Sequence, residues 1–246
     1  LTTTIQHINA KSEANKKQLA ILVDPDKHND ERSIGQTIAV ANEAKVDHIF
    51  VGGSLITNGA FGSCIEAIKK ATDIPVVIFP GSPHQVHNKA DAVLFLSLIS
   101  GRNSETLIGH HVIAAPKVKA SGIEVIPTGY MLIDSGQPTA ASYMSNSTPI
   151  PYDKDDIAMC TAMAGEMLGL RLIYMDGGSG AEKTISPEMI SKVKSNISIP
   201  LIIGGGIKTP KVAHKIWQAG ADVVVVGNAT EKDPLLIRDI AQAANT

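Results

Sequence analysis

Two glycine turns stand near the end of the chain, Ile203-Gly204-Gly205-Gly206-Ile207 and Val226-Gly227-Asn228-Ala229. Each follows a short apolar run, and they lie one strand–helix unit apart. Glycine lets backbone N–H groups approach an anion closely, so Gly205, Gly206, Gly227 and Asn228 suit a phosphate. A lone turn would favour the plainer reading, glycine serving a tight connection; two in succession favour phosphate binding. Another run ends in Tyr174-Met175-Asp176-Gly177-Gly178-Ser179-Gly180, an aromatic and a carboxylate before a flexible Gly/Ser stretch. A carboxylate at a strand end can orient or deprotonate a hydroxyl, whereas the bland alternative makes Asp176 a turn residue. Leu22-Val23-Asp24-Pro25-Asp26-Lys27 and Val51-Gly52-Gly53-Ser54 close two further runs. Asp24 and Ser54 offer a carboxylate and a hydroxyl. Such oxygen ligands suit Mg²⁺, which also keeps waters and takes substrate phosphate oxygens. Acidic turn residues are common, so this pairing gains weight only from its company. No partner pattern surrounds His84, His87, His110 or His111, and each reads as an exposed or satisfied histidine. Trp217 and the methionines of Ala158–Leu168 read as core.

The turns that carry these residues cap short apolar runs, of which there are eight: Leu19–Val23, His48–Val51, Pro75–Phe79, Ala92–Leu96, Gly122–Ile126, Leu172–Tyr174, Pro200–Ile203 and Asp222–Val226. Several, such as Ala20-Ile21-Leu22-Val23 and Val223-Val224-Val225-Val226, are apolar at consecutive positions. A parallel strand buried on both faces reads that way. Ser33–Ala44 carries Ile34, Ile38 and Ala41 at helical spacing, and Ser63–Ala71 carries Ile65 and Ile68 on one face. Ser186-Pro187-Glu188 and Thr209-Pro210 are helix starts, each a hydroxyl N-cap before proline. Eight strands alternating with helices in about 250 residues is the arithmetic of an α/β fold, the (β/α)8 TIM barrel. It implies a single domain over residues 1–246, with an open doubly wound sheet as the structural alternative. Barrel phosphate sites form in the loops after strands 7 and 8, where both glycine turns fall.

Two stretches break the regularity. About a dozen residues separate Phe79 from the fourth run, and Gly81-Ser82-Pro83 occupies part of them. The third helix is therefore expected to be reduced or replaced. More than 40 residues separate the fifth and sixth runs. There Thr128–Pro151 reads as a long loop and Asp153–Leu168 as a long apolar helix. A long loop at the C-terminal end of a barrel strand is usually functional, the alternative being a surface excursion.

The chain has 246 residues, 43% hydrophobic and 19% charged, which excludes a disordered protein. At that length no metal or disulfide staple is needed. Lys and Arg total 22 against 24 Asp and Glu, and a net charge of −2 argues against nucleic-acid binding. Cys64 and Cys160 lie far apart without a CxxC, which argues against a zinc site and suits a reducing cytoplasm. Residues 1–17 are polar and lack the apolar segment of a signal peptide. No apolar run reaches the ~18 residues of a membrane span. A soluble, cytoplasmic protein with at most peripheral membrane contact is expected.

In chain order, LVDPDK (22–27), VGGS (51–54), IPTGY (126–130), YMDGGSG (174–180), IIGGGI (202–207) and VVGNA (225–229) resemble one family. It is the geranylgeranylglyceryl phosphate synthase family, whose bacterial relatives include heptaprenylglyceryl phosphate synthases. The similarity spans essentially the whole chain, and the long form of LVDPDK resembles the larger of the family's two groups. The resemblance implies a prenyltransferase. The free hydroxyl of sn-glycerol 1-phosphate attacks the allylic carbon of a polyprenyl (geranylgeranyl) diphosphate, and Mg²⁺ stabilises the departing diphosphate. Carried over by motif, Asp24 and Ser54 would hold Mg²⁺, and Asp176 with Tyr174 would be catalytic. Tyr174, Met175, Asp176, Gly177, Gly178, Ser179 and Gly180 would bind glycerol phosphate, with Gly205, Gly206, Gly227 and Asn228 on its phosphate. The reduced third helix matches the family's modified barrel, and a homo-oligomer follows by the same analogy. Members commonly carry glutamate where this chain has Asp176, so the shorter carboxylate must gain reach from backbone position or a water. Two other readings stand beside this one: a phosphate-binding barrel enzyme acting on a sugar-phosphate-like substrate, and a non-catalytic phospholigand-binding barrel.

Overall fold

Eight parallel strands follow one another around a closed barrel, each hydrogen-bonded to the next and the last to the first. They are β1 (Gln18–Val23), β2 (His48–Val51), β3 (Val76–Ile78), β4 (Ala92–Leu98), β5 (Glu124–Leu132), β6 (Leu172–Asp176), β7 (Leu201–Gly204) and β8 (Val223–Val226). This computed structural model describes residues 2–28 and 31–244; the outermost positions of the expected 1–246 domain lie outside the described residues. The helices are α1 (Thr4–Glu13), α2 (Glu31–Glu43), α3 (Phe61–Ala71), α4 (His110–Ser121), α5 (Ala140–Met144), α6 (Asp155–Met167), α7 (Pro187–Lys194), α8 (Pro210–Gln218), α9 (Asn228–Lys232) and α10 (Leu236–Ala243). Ser186 and Thr209 cap α7 and α8 as their sequences predict, accepting from the Met189 and Val212 amides.

Strand alternation sorts the core into two layers. Ala20, Phe50, Val77, Leu94, Ile126 and Ile202 fill the barrel interior, while Ile21, Ile49, Val93 and Ile203 pack outward against the helices. No helix joins β3 to β4, only turns, so the expected loss of the third helix holds. The fifth strand differs from expectation. It runs on through Pro127, Thr128 and Gly129 to Leu132, where the sequence reads as loop. Its glycine is there for packing, because a Cβ at Gly129 would sit 2.8 Å from the Ile173 side chain and 2.9 Å from Ile99. Five helices among the described residues are not read from the sequence: α1, α4 (preceded by a π-helical turn at Glu105–Gly109), α5, α9 and α10. Helix α1 plugs the N-terminal end of the barrel with Ile5 and Ile8, both fully buried in the interior layer. The Glu124 carboxylate accepts from the Thr4 and Ile5 amides at 2.6 and 3.3 Å and so fixes the plug. Trp217 is core as expected, and Met159 and Met163 pack against the core, but Met167 is 79% exposed. Among the described residues no helix is long and apolar enough to cross a membrane.

Below the plug, His48 is expected to make the fold acid-sensitive. It is fully buried, its Nε2 faces Gln18 Oε1 at 3.2 Å, and its Nδ1 has no partner among the described residues. Burial first, then repulsion from His7 and Lys11, pushes its pKa from 6.5 down to about 3. The folded state therefore holds the neutral ring. Its stability contribution is complete above the unfolded value and is lost as pH falls from 6.5 toward 3, by at most ~1.4 kcal/mol per pH unit. We expect the Tm of His48→Gln to fall less than wild type between about pH 7 and about pH 4.5. Equal slopes in thermal melts would overturn the assignment.

Candidate active site

The strand ends that the sequence singled out converge at the C-terminal mouth of the barrel. Asp176 ends β6 and is 7% exposed. Its Oδ1 accepts from the Gly178 amide at 2.7 Å and its Oδ2 from the Tyr130 hydroxyl at 2.6 Å. Burial pushes this carboxyl above the ordinary aspartate range, while the Tyr130 and Gly178 hydrogen bonds pull it back. Tyr174, on the same face two residues earlier, stacks on Phe79 with centroids 5.0 Å apart and rings 9° from parallel. Tyr130 meets both rings edge-on at 5.7 and 5.6 Å. Burial, and then the Asp176 charge, raise both phenols well above 10, so both stay protonated. Gly204 leaves room for this aromatic wall, because a Cβ there would lie 2.5 Å from the Tyr174 hydroxyl. Met175 points the other way, into the outer core, so only its backbone faces the site.

The glycine turns lie beside that carboxylate. Gly205 and Gly206 have φ of +89° and +71°, conformations that favour glycine. A Cβ on Gly205 would sit 2.7 Å from the Gly177 nitrogen, so the turns after β6 and β7 pack backbone on backbone. Among the described residues no group accepts from the Gly205 or Gly206 amide. Asn228 ties the third turn to the others. Its Oδ1 accepts from Ser179 Oγ and from Lys27 Nζ, each at 3.1 Å. Lys27 also pairs with Glu231 at 2.9 Å and stands 3.6 Å from Asp24. The sequence reading gave Lys27 no role and missed Glu231, whose carboxyl burial raises and Lys27 opposes.

Asp24 and Asp26, neighbours in sequence, separate in role. Asp26 is committed to the β2 loop, accepting from the Thr57 amide and hydroxyl at 2.8 and 2.9 Å and from the Asn58 amide at 3.3 Å. Asp24 caps the short turn Pro25–Lys27, with Oδ1 accepting from the Asp26 amide at 3.1 Å. A Cβ on Gly53 would lie 3.3 Å from that same Oδ1, so the bare glycine brings the end of β2, and Ser54 with it, beside Asp24. Among the described residues no cluster of three or more His, Cys, Asp or Glu forms a ready-made metal cage. One carboxylate and one hydroxyl on adjacent strand ends fit Mg²⁺ that completes its shell with waters and substrate oxygens.

Residues 133–151 are no loose excursion. Gln137 Nε2 donates to the Gly180 carbonyl at 2.6 Å, and Lys183 N donates to the Ser135 carbonyl at 3.1 Å. Thr139 packs so close to Gly178 that a Cβ there would lie 2.7 Å from it. The segment thus braces the turn that carries Asp176. Together the mouth offers a carboxylate placed to take a proton, backbone amides placed to take an anion, and an oxygen pair suited to a hard cation.

A sequence profile of the PcrB family matches residues 12–244 of this chain. A geranylgeranylglyceryl phosphate synthase of Chitinophaga pinensis is 57% identical over 229 residues, covering 93% of this chain and 90% of the relative. Another, of Spirosoma linguale, is 48% identical over 226 residues, covering 92% and 90%. The solved (S)-3-O-geranylgeranylglyceryl phosphate synthase of Thermoplasma acidophilum, in complex with substrate sn-glycerol-1-phosphate, superposes with a TM-score of 0.93. It is 34% identical, and 99% of each chain is covered.

Proposed function

The chain belongs to the PcrB family, and we propose from that premise that it is a prenyltransferase joining a polyprenyl group, geranylgeranyl by its relatives' names, to sn-glycerol 1-phosphate. The observation that carries this reading within the site is the buried Asp176 carboxylate beside the Gly205–Gly206 turn. The phosphate anchors on the amides of Gly205, Gly206, Gly227 and Asn228, and Ser179 and Gly180 close over the glycerol. Tyr174 supplies the wall that holds the substrate against Asp176. An ether C–O bond forms between the glycerol hydroxyl and the allylic carbon as the bond from that carbon to diphosphate breaks. Diphosphate leaves with the electron pair, and the hydroxyl proton passes to Asp176. Asp24 and Ser54 would hold Mg²⁺, which when bound neutralises charge on the leaving diphosphate.

A reaction with Mg²⁺, labelled sn-glycerol 1-phosphate and a series of prenyl diphosphates tests this directly. The expected product is a prenylglyceryl phosphate. Binding without turnover would favour a non-catalytic phospholigand barrel. No binding of glycerol phosphate would return the chain to the sugar-phosphate enzymes. In a crystal of the complex the phosphate is expected between residues 204–206 and 227–228, and finding it elsewhere would sink the cradle. Two unpaired thiols, Cys64 and Cys160, keep the cytoplasmic placement in this reading. The reading also includes a homo-oligomer, supported by exposed Ile108, Val112, Ile113 and Ile157; a monomer in sedimentation would remove it.

A further inference from the structure

The IPTGY segment was singled out by its sequence, yet the reaction as written gives its tyrosine nothing to do. We propose that Tyr130 is a positioning residue for Asp176, fixing the carboxylate's orientation and holding it ionised against its own burial. This rests on the reading of Asp176 as the base.

The register of the sheet makes the contact. Tyr130 pairs with Tyr174, and Leu132 with Asp176, so the phenol reaches the carboxylate from the neighbouring strand. The 2.6 Å separation is in the short range that charge assistance gives an O–H···O⁻ bond. The ring is held at both edges, by Phe79 and by Tyr174, which fixes the position of its hydroxyl oxygen beside the carboxylate. With Oδ1 held by the Gly178 amide, Tyr130 on Oδ2 stops rotation of the carboxylate plane. Each oxygen keeps lone-pair capacity for a substrate hydroxyl.

The electrostatic part follows from the groups that face the carboxylate. They are Tyr130 from β5, Tyr174 from β6 and the Gly178 amide of the following turn; β7 contributes only glycine there. No cation is among them, so nothing but hydrogen bonds offsets the cost of burying the charge. Of these, the Tyr130 bond opposes that cost most. Because its own ionisation is displaced far upward, Tyr130 remains a donor throughout the working pH range.

Tyr130→Phe removes one oxygen and leaves the ring packing intact. We expect kcat at neutral pH to fall about 10- to 100-fold, since a hydrogen bond to a charged group is worth roughly that factor. KM for glycerol phosphate should stay within about twofold, because the lost contact touches no substrate atom. The acidic limb of the kcat profile should move upward by roughly 1–2 pH units. In an Asp176→Asn background the same substitution should cost almost nothing more. An unchanged kcat, or an equal loss in both backgrounds with an unmoved limb, would overturn the proposal. Carboxyl titration of Asp176 by isotope-edited infrared spectroscopy, wild type against Tyr130→Phe, gives an answer without turnover. An upward displacement supports the proposal and none overturns it. Failure of wild type to make prenylglyceryl phosphate would instead strike the functional reading.

Discussion

Asp24→Ala is expected to remove nearly all turnover and, with it, the Mg²⁺ dependence of what remains. Asp24 lies beside the end of β2, where a Cβ on Gly53 would come within 3.3 Å of its Oδ1, and its neighbour Asp26 is consumed by Thr57 and Asn58. Losing it leaves Ser54 alone, and a hydroxyl without a carboxylate is a weak Mg²⁺ ligand. Metal stabilisation of a leaving oxygen is worth several kcal/mol, so the loss should be roughly 100-fold or more. Ser54→Ala should cost a smaller share. Alanine at 24 also removes the cap on the Pro25–Lys27 turn and one partner of Lys27. Asp24→Asn separates these effects: it keeps an acceptor for the Asp26 amide but removes the charge. Both variants should lose turnover while the melting curve of Asp24→Asn stays near wild type. Full turnover with intact Mg²⁺ dependence in either variant would refute the assignment.

The barrel was legible because parallel strands buried on both faces leave continuous apolar runs, and β1 and β8 could hardly read otherwise. The misreadings have physical causes. Thr128 and Gly129 have loop composition, but the glycine makes way for Ile173 and Ile99 inside a nine-residue strand. The polar stretch before β1 hides a plug whose evidence is only Ile5 and Ile8, three positions apart on one helical face. The proposed site residues Asp24, Ser54, Asp176, Gly205 and Asn228 stand out in the sequence because each caps a recognisable run. Tyr130 stands out only as part of IPTGY, without a role. Its role depends on the β5–β6 register, which sets it against a residue 46 positions away, and local sequence carries no trace of that pairing. Lys27 was hidden for the same reason: its partners Asn228 and Glu231 come from the other end of the chain.

Asp176→Asn should lower kcat by ~10²–10⁴-fold, the range typical for loss of a positioned general base. The substitution is close to isosteric and can keep both contacts. The amide oxygen accepts from Gly178, and the amide nitrogen donates to the Tyr130 oxygen, whose hydroxyl is free to rotate. KM for glycerol phosphate should therefore move far less than kcat, the pattern of an interaction realised in the transition state. The pH dependence has a definite sign. A base acts only when ionised, and burial raises the Asp176 carboxyl, so the acidic limb of the wild-type profile should lie above the ordinary aspartate range. The same shift bears on stability. A carboxyl raised in the folded state stabilises the fold while protonated and loses that contribution as pH rises through its folded value. At neutral pH the neutral amide avoids that cost, so the Asp176→Asn melting temperature should equal or exceed wild type. Loss of turnover without loss of stability would mark a group kept for chemistry at the fold's expense. Asp176→Glu should also reduce activity, because Oδ2 already lies 2.6 Å from Tyr130 and a longer side chain must break that contact. Near-normal kcat in Asp176→Asn would assign the proton to another acceptor, with a substrate phosphate oxygen the first to test.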